Sequence, residues 1–138
     1  SAAEKMIDNG ADVIFGAGGL TGNGALEAAC KHKGVYAIGV DTDQSLTLPD
    51  ASTCMLSSAV KHIDRAVSAA LLRIAKDKFT PGFHTDDAST GGIGLAPFHD
   101  HDADVPATVR DRLAQTVAGL ADGTIKTRVT VDGRTPNP

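Results

Sequence analysis

Asp12-Val13-Ile14-Phe15-Gly16-Ala17-Gly18-Gly19-Leu20-Thr21-Gly22, followed one helix later by Val35-Tyr36-Ala37-Ile38-Gly39-Val40-Asp41, decides the fold. Asp12 to Phe15 is a short, apolar, β-branched run bounded by glycines, which suits a strand buried on both faces. Gly16 to Gly24 then reads as a glycine-rich loop. From Asn23 or Gly24 to Lys33 the apolar positions Ala25, Leu26, Ala28, Ala29 and Cys30 recur at helical spacing, and Gly34 stops the helix. Val35 to Val40 is a second buried strand, with Asp41 at its carboxyl end. Strand, loop, helix and strand in this order form a βαβ unit, so the two strands should run parallel.

The rest of the chain extends the same pattern. Ala3, Met6 and Ile7 read as the end of an amphipathic helix stopped at Gly10. Thr53 to Ser58 is a third short strand. A long helix follows from about Val60 to Asp77, with Ile63, Val67, Ala70, Leu71 and Ile74 at helical spacing, and Pro81-Gly82 ends it. Gly91 to Ala96 reads as a glycine-containing strand or hairpin. Beyond His99-Asp100-His101-Asp102 a helix is expected from Pro106 to about Asp122, capped by Gly123, and one more short strand from Arg128 to Val131. No internal repeat is visible. The division expected is a ligand-binding lobe over residues 1–125 and a tail over 126–138.

With 138 residues the chain has the size of one domain. Its 41% hydrophobic and 22% charged residues are those of a soluble globular protein, and no apolar run is long enough to span a membrane. The net charge of −4 offers no basic footprint for nucleic acid. Cys30 and Cys54 fall in no metal-ligand spacing and read as buried core thiols. Ser1 to Gly10 has neither a charged n-region nor an apolar h-region, so no signal peptide is expected there. The chain is expected to open inside an α/β unit, as a portion of a longer protein would.

Three groups of residues could bear chemistry. Gly18, Gly19, Thr21 and Gly22 lie between a strand and a helix, where glycines let backbone N–H groups approach a polar or anionic ligand. Asp41 lies where dinucleotide folds place an acidic group against ribose hydroxyls, which keeps a nicotinamide-dependent oxidoreductase as an alternative. The loop has no Lys-Ser/Thr pair of a Walker loop. Asp41, Asp43 and Lys61 form the second group: an ionised carboxylate accepts two hydrogen bonds from a vicinal diol, and an ammonium donates to the same sugar. Such an arrangement binds without reacting, and no catalytic triad or nucleophile elbow accompanies it, so no enzyme and no cofactor are expected. His99, Asp100, His101 and Asp102, with His84, invite a metal, but their loop setting favours a solvated run that begins a helix, and no metal is assigned.

Gly10-Ala11-Asp12-Val13-Ile14-Phe15, Gly18-Gly19-Leu20-Thr21-Gly22-Asn23-Gly24, Ile38-Gly39-Val40-Asp41-Thr42-Asp43-Gln44, Leu56-Ser57-Ser58-Ala59-Val60-Lys61 and Gly91-Gly92-Ile93-Gly94-Leu95-Ala96 resemble, in that order, the second half of the basic membrane protein (purine nucleoside receptor-like) family. The resemblance covers residues 3 to 125. It implies a parallel-sheet, Rossmann-like lobe of a type I periplasmic-binding-protein fold, in which two lobes close on a nucleoside. The base stacks between aromatic side chains while a carboxylate and a lysine hold the ribose. By position, Asp41 and Lys61 are the implied ribose pair, with Gly18 to Gly24 lining the cleft. The implied function is that of the solute-binding component of an ABC-type importer, with a permease as partner, in the cell envelope and lipid-anchored at full length. The first lobe, the anchoring cysteine and much of the aromatic clamp are not in this sequence, and Phe15 reads as core. Surface left by a missing lobe should be apolar and open to self-association. A sensory domain built on the same lobe is a further alternative.

Overall fold

The structure, a computed structural model, describes residues 1–127. The first helix, α1 (Ala2–Asp8), begins with a reciprocal cap: the Ser1 hydroxyl accepts from the Glu4 N–H, and the Glu4 carboxylate accepts from the Ser1 nitrogen. β1 (Val13–Phe15), α2 (Gly19–Cys30) and β2 (Tyr36–Asp41) follow. A short α3 (Gln44–Thr47) and a 3-10 turn (Pro49–Cys54) lead into β3 (Met55–Lys61), and then come α4 (Ile63–Ala75) and β4 (Ile93–Leu95). A second 3-10 turn (His99–Asp104) and α5 (Ala107–Ala121) complete the described elements.

The four strands lie in the order β1-β2-β3-β4. β1 and β2 are parallel, with Val13 opposite Tyr36 and Phe15 opposite Ile38, as the βαβ reading requires. β2 and β3 are also parallel, with an irregularity between Ala37 and Ile38, while β4 runs antiparallel to β3. The fold is therefore α/β with a mostly parallel sheet. Its core lies between one sheet face and the layer of α1, α2 and the first 3-10 turn, where Ile14, Leu26, Ala29, Ala37, Ala51 and Met55 are buried. Alanines bring the helices close to the sheet, and full burial of Leu26 and Met55 contributes roughly 1.5–3 kcal/mol each.

Several expectations need correction. α2 starts at Gly19, so most of the anticipated glycine loop is already helix. The cause is close packing: a Cβ at Gly22 would collide with the Gly16 carbonyl, and one at Gly16 would lie 2.6 Å from Leu26 side-chain carbons. Cys30 and Cys54 are not free thiols but a disulfide, with Cα atoms 5.3 Å apart. They end α2 and the 3-10 turn respectively, two elements whose contact no spacing in the sequence reveals. Phe15 is 56% exposed at the end of β1, not core.

The His99–Asp102 segment is solvated at His99, Asp100 and Asp102, as expected, but it forms a 3-10 turn and not a loop, and His101 is partly covered. The His101 ring packs edge-on against Tyr36 at 5.3 Å, and its nitrogens face the Asp104 carboxylate and the Thr53 carbonyl. α4 carries its apolar stripe as expected, but no residue of that helix is buried. The strand expected from Arg128 to Val131 lies outside the described residues.

Candidate functional site

Strands of a parallel sheet deliver their last residues to one edge, and here β1, β2 and β3 end on Phe15, Asp41 and Lys61. Pairing of Asp41 with Val60 puts Lys61 one step beyond, and its ammonium lies 2.7 Å from the Asp41 carboxylate. The two side chains keep 50% and 62% of their exposure, Asp41 and Lys61 respectively. In such a setting the pair adds only ~0–1 kcal/mol to stability. Both groups remain open to a ligand. Lys61 belongs to the strand, not to the first turn of a helix, which fixes its stem beside β2.

Asp41 has a left-handed backbone, φ 70°, and the Thr42 N–H donates back to the Val40 carbonyl at 2.9 Å. It therefore sits at the apex of a three-residue γ-turn of the strained, positive-φ kind. Asp43 is engaged differently. One carboxylate oxygen accepts from the Ser45 N–H at 3.2 Å, capping α3, and the other lies 2.8 Å from His99 Nε2. Of the two aspartates, Asp41 faces outward and Asp43 is tied to the frame.

The glycine segment divides in the same way. Gly18 is the N-cap of α2 without a side-chain cap bond, and Gly19 takes φ 55°. Thr21 is exposed, whereas Gly22 is buried against Gly16. Leu20, 89% exposed, stands beside them in the first turn. A separate cavity of about 360 Å³ lies between β3, β4 and α5, lined by Val60, Leu95, Leu113 and Val117 among others, and Lys61 reaches it as its one charged residue.

Gln44 was not singled out by the sequence, yet it holds the site together. It is buried; its side-chain oxygen accepts from the Val40 N–H at 2.8 Å, and its amide donates to Asn23 Oδ1 at 2.9 Å. Its backbone N–H donates to Ser58 Oγ at 3.0 Å. The signal available was Gly39 five residues earlier. A Cβ there would lie 2.5 Å from Ser58 Oγ and 2.8 Å from Gln44 Oε1.

Among known proteins, the family described as ABC transporter substrate-binding protein PnrA-like matches residues 1–134. Basic membrane protein D of Borreliella burgdorferi is 47% identical over 66 residues, which cover 46% of this chain and 18% of that protein. The CD4+ T-cell-stimulating antigen of Listeria monocytogenes is 30% identical over 137 residues, covering 90% of this chain and 38% of that protein. The chain thus spans well under half the length of these relatives. A transcriptional activator of the comK gene from Bacillus halodurans superposes with a TM-score of 0.73 at 23% identity, over 97% of this chain and 42% of that one. A solute-binding protein of an ABC transporter system from Aeropyrum pernix gives 0.65 at 24% identity, over 95% and 44%. At these identities the structural likeness speaks for the fold, and the sequence match speaks for descent: the chain belongs to the family of PnrA-like ABC-transporter substrate-binding proteins.

Proposed function

We propose that this lobe takes part in capturing a nucleoside for an ABC-type importer, holding the ribose through Asp41 and Lys61. The observation that supports this most is the exposed 2.7 Å carboxylate–ammonium pair at the carboxyl ends of adjacent parallel strands, the place where α/β folds bind ligands. A carboxylate with free lone pairs takes both hydroxyls of a vicinal diol, and the ammonium donates to the sugar while balancing the charge. Phe15, exposed at the end of β1, supplies an aromatic face for a base. Gly18, Gly19 and Thr21 line the same edge, Gly22 packs the start of α2 against Gly16 beneath them, and Asp43 braces the edge. The mechanism is capture and closure of two lobes, with no covalent step.

The family is one of solute-binding proteins, not enzymes, and no described helix is long and apolar enough to cross a membrane. On this reading the full-length protein works outside the cytoplasm, held by a lipid anchor and serving a permease. The Cys30–Cys54 disulfide fits such an oxidising setting. By itself the chain self-associates through its uncovered apolar surface.

The test is calorimetry on the full-length, two-lobed protein with adenosine, guanosine and their 2′-deoxy counterparts. Asp41→Ala should weaken ribonucleoside binding by about 2–4 kcal/mol, since charge-assisted hydrogen bonds are lost and buried donors go unpaired. Lys61→Ala should act in the same direction, and the double variant should lose less than the sum. Parent-like affinity of Asp41→Ala for the ribonucleoside would refute the assignment.

A further inference from the structure

We propose that Gln44 is a positioning residue for diol recognition: its buried amide sets the γ-turn that presents the Asp41 carboxylate. The proposal rests on the reading that Asp41 meets the ribose. A positive-φ aspartate at the apex of a three-residue turn does not hold that shape by itself, and strained backbone persists only where its surroundings over-determine it. The Asp41 turn begins at Val40, and the Val40 N–H is fixed by the Gln44 side-chain oxygen at 2.8 Å. The turn returns into α3, whose first residue is Gln44 itself, so one side chain closes the loop from its far end back to its start.

The same amide reaches further. Its NH₂ donates to Asn23 on α2, the helix that starts in the glycine segment, and the Gln44 backbone N–H donates to Ser58 on β3, the strand that ends in Lys61. One buried residue thus links the carboxylate turn, the glycine helix and the lysine strand. The chemistry calls for a neutral amide. The Val40 N–H is a donor that needs an oxygen, and Asn23 Oδ1 faces the other end of the group as an acceptor. Glutamate would keep the first bond and lose the donor of the second; methionine would lose both. Gly39 belongs to this device, because the space of its missing side chain holds Ser58 Oγ and the Gln44 side chain.

The experiment measures the ratio of ribonucleoside to 2′-deoxynucleoside affinity in the full-length protein, with adenosine and guanosine and their 2′-deoxy forms as probes. The proteins compared are the parent, Gln44→Met, Gln44→Glu, Asn23→Ala and Asp41→Ala, with folding monitored by circular dichroism and Tm. A hydrogen-bonded buried group removed from behind the reading residue should lower the ratio about tenfold in Gln44→Met. Gln44→Glu, which keeps the bond to Val40, should retain more of the ratio, and Asn23→Ala should shift it in the same direction by less. A residue that only supports the fold would lower Tm and leave the ratio untouched. A parent-like ratio in folded Gln44→Met beside a collapsed ratio in Asp41→Ala overturns this proposal alone; where Gln44→Met does not fold, a parent-like ratio in Asn23→Ala does so. A parent-like ratio in Asp41→Ala overturns the ribose reading, and this proposal with it.

Discussion

Asp41 combines two properties that pull in opposite directions, a backbone that disfavours a side chain and a side chain that the proposed chemistry needs. An L-residue in the left-handed region costs roughly 1–2 kcal/mol, less for aspartate, and glycine bears none of it. Asp41→Gly should therefore raise stability by about 1 kcal/mol, read as a higher urea midpoint at unchanged slope, while ribonucleoside binding falls as it does in Asp41→Ala. An unchanged or lower midpoint would mean that the turn bears no such strain. At this scale the sequence was informative about the outward groups and silent about the inward ones. Asp41 could be read because it ends a strand of a parallel unit; Lys61, placed by periodicity at the start of a helix, came from its charge and from the family resemblance, and its position at the end of β3 was not legible. Gln44 could not be read, because its meaning depends on Val40, Asn23 and Ser58 converging on it from three elements.

At the level of elements, short apolar runs located the four described strands and helical periodicity the longer described helices, and tertiary packing moved their ends. Glycine's poor helix propensity argued for a loop up to Gly24, but contact of Gly22 with Gly16 and of Leu26 with the core extends α2 back to Gly19. The junction before α5 was also opaque, since it is made by side chains far apart in kind. Arg110 donates to the Asp102 carboxylate at 2.7 Å and to the Asp102 and Val105 carbonyls, and its guanidinium lies 5.3 Å from the Phe98 ring centre. The hydrogen bond from Arg110 holds the Asp102 carboxyl below its ordinary range. A carboxyl depressed in the folded state supports stability above its unfolded pKa, and that support is lost as pH falls through the lowered folded value. On acid titration, Asp102→Asn should lack this part of the parent's loss of stability, the two curves converging at low pH. Parallel curves across the carboxylate range would show that the contact is idle.

For the molecule as a whole, the outstanding feature is how unevenly it is covered. One sheet face is packed by α1 and α2, whereas Ile63, Val67, Leu71 and Ile74 of α4 are each more than half exposed. Contiguous apolar surface of this kind drives association in water. The 138-residue chain should sediment as a concentration-dependent oligomer, and Val67→Glu with Leu71→Glu should shift it to monomer without loss of helical content. A monomer at high concentration in the parent would count against an adhesive α4. The Cys30–Cys54 bond bears on the site in a different way. Those two cysteines close a covalent ring, and the ring contains all of β2 together with Asp41, Asp43 and Gln44. The carboxylate half of the proposed sugar site is thus fenced in by oxidation, at roughly 3 kcal/mol for a ring of this size, while Lys61 stands just outside it. Thiol reductants would loosen that enclosure first, and preparations made in a reducing compartment would carry the carboxylate on an unfastened hoop.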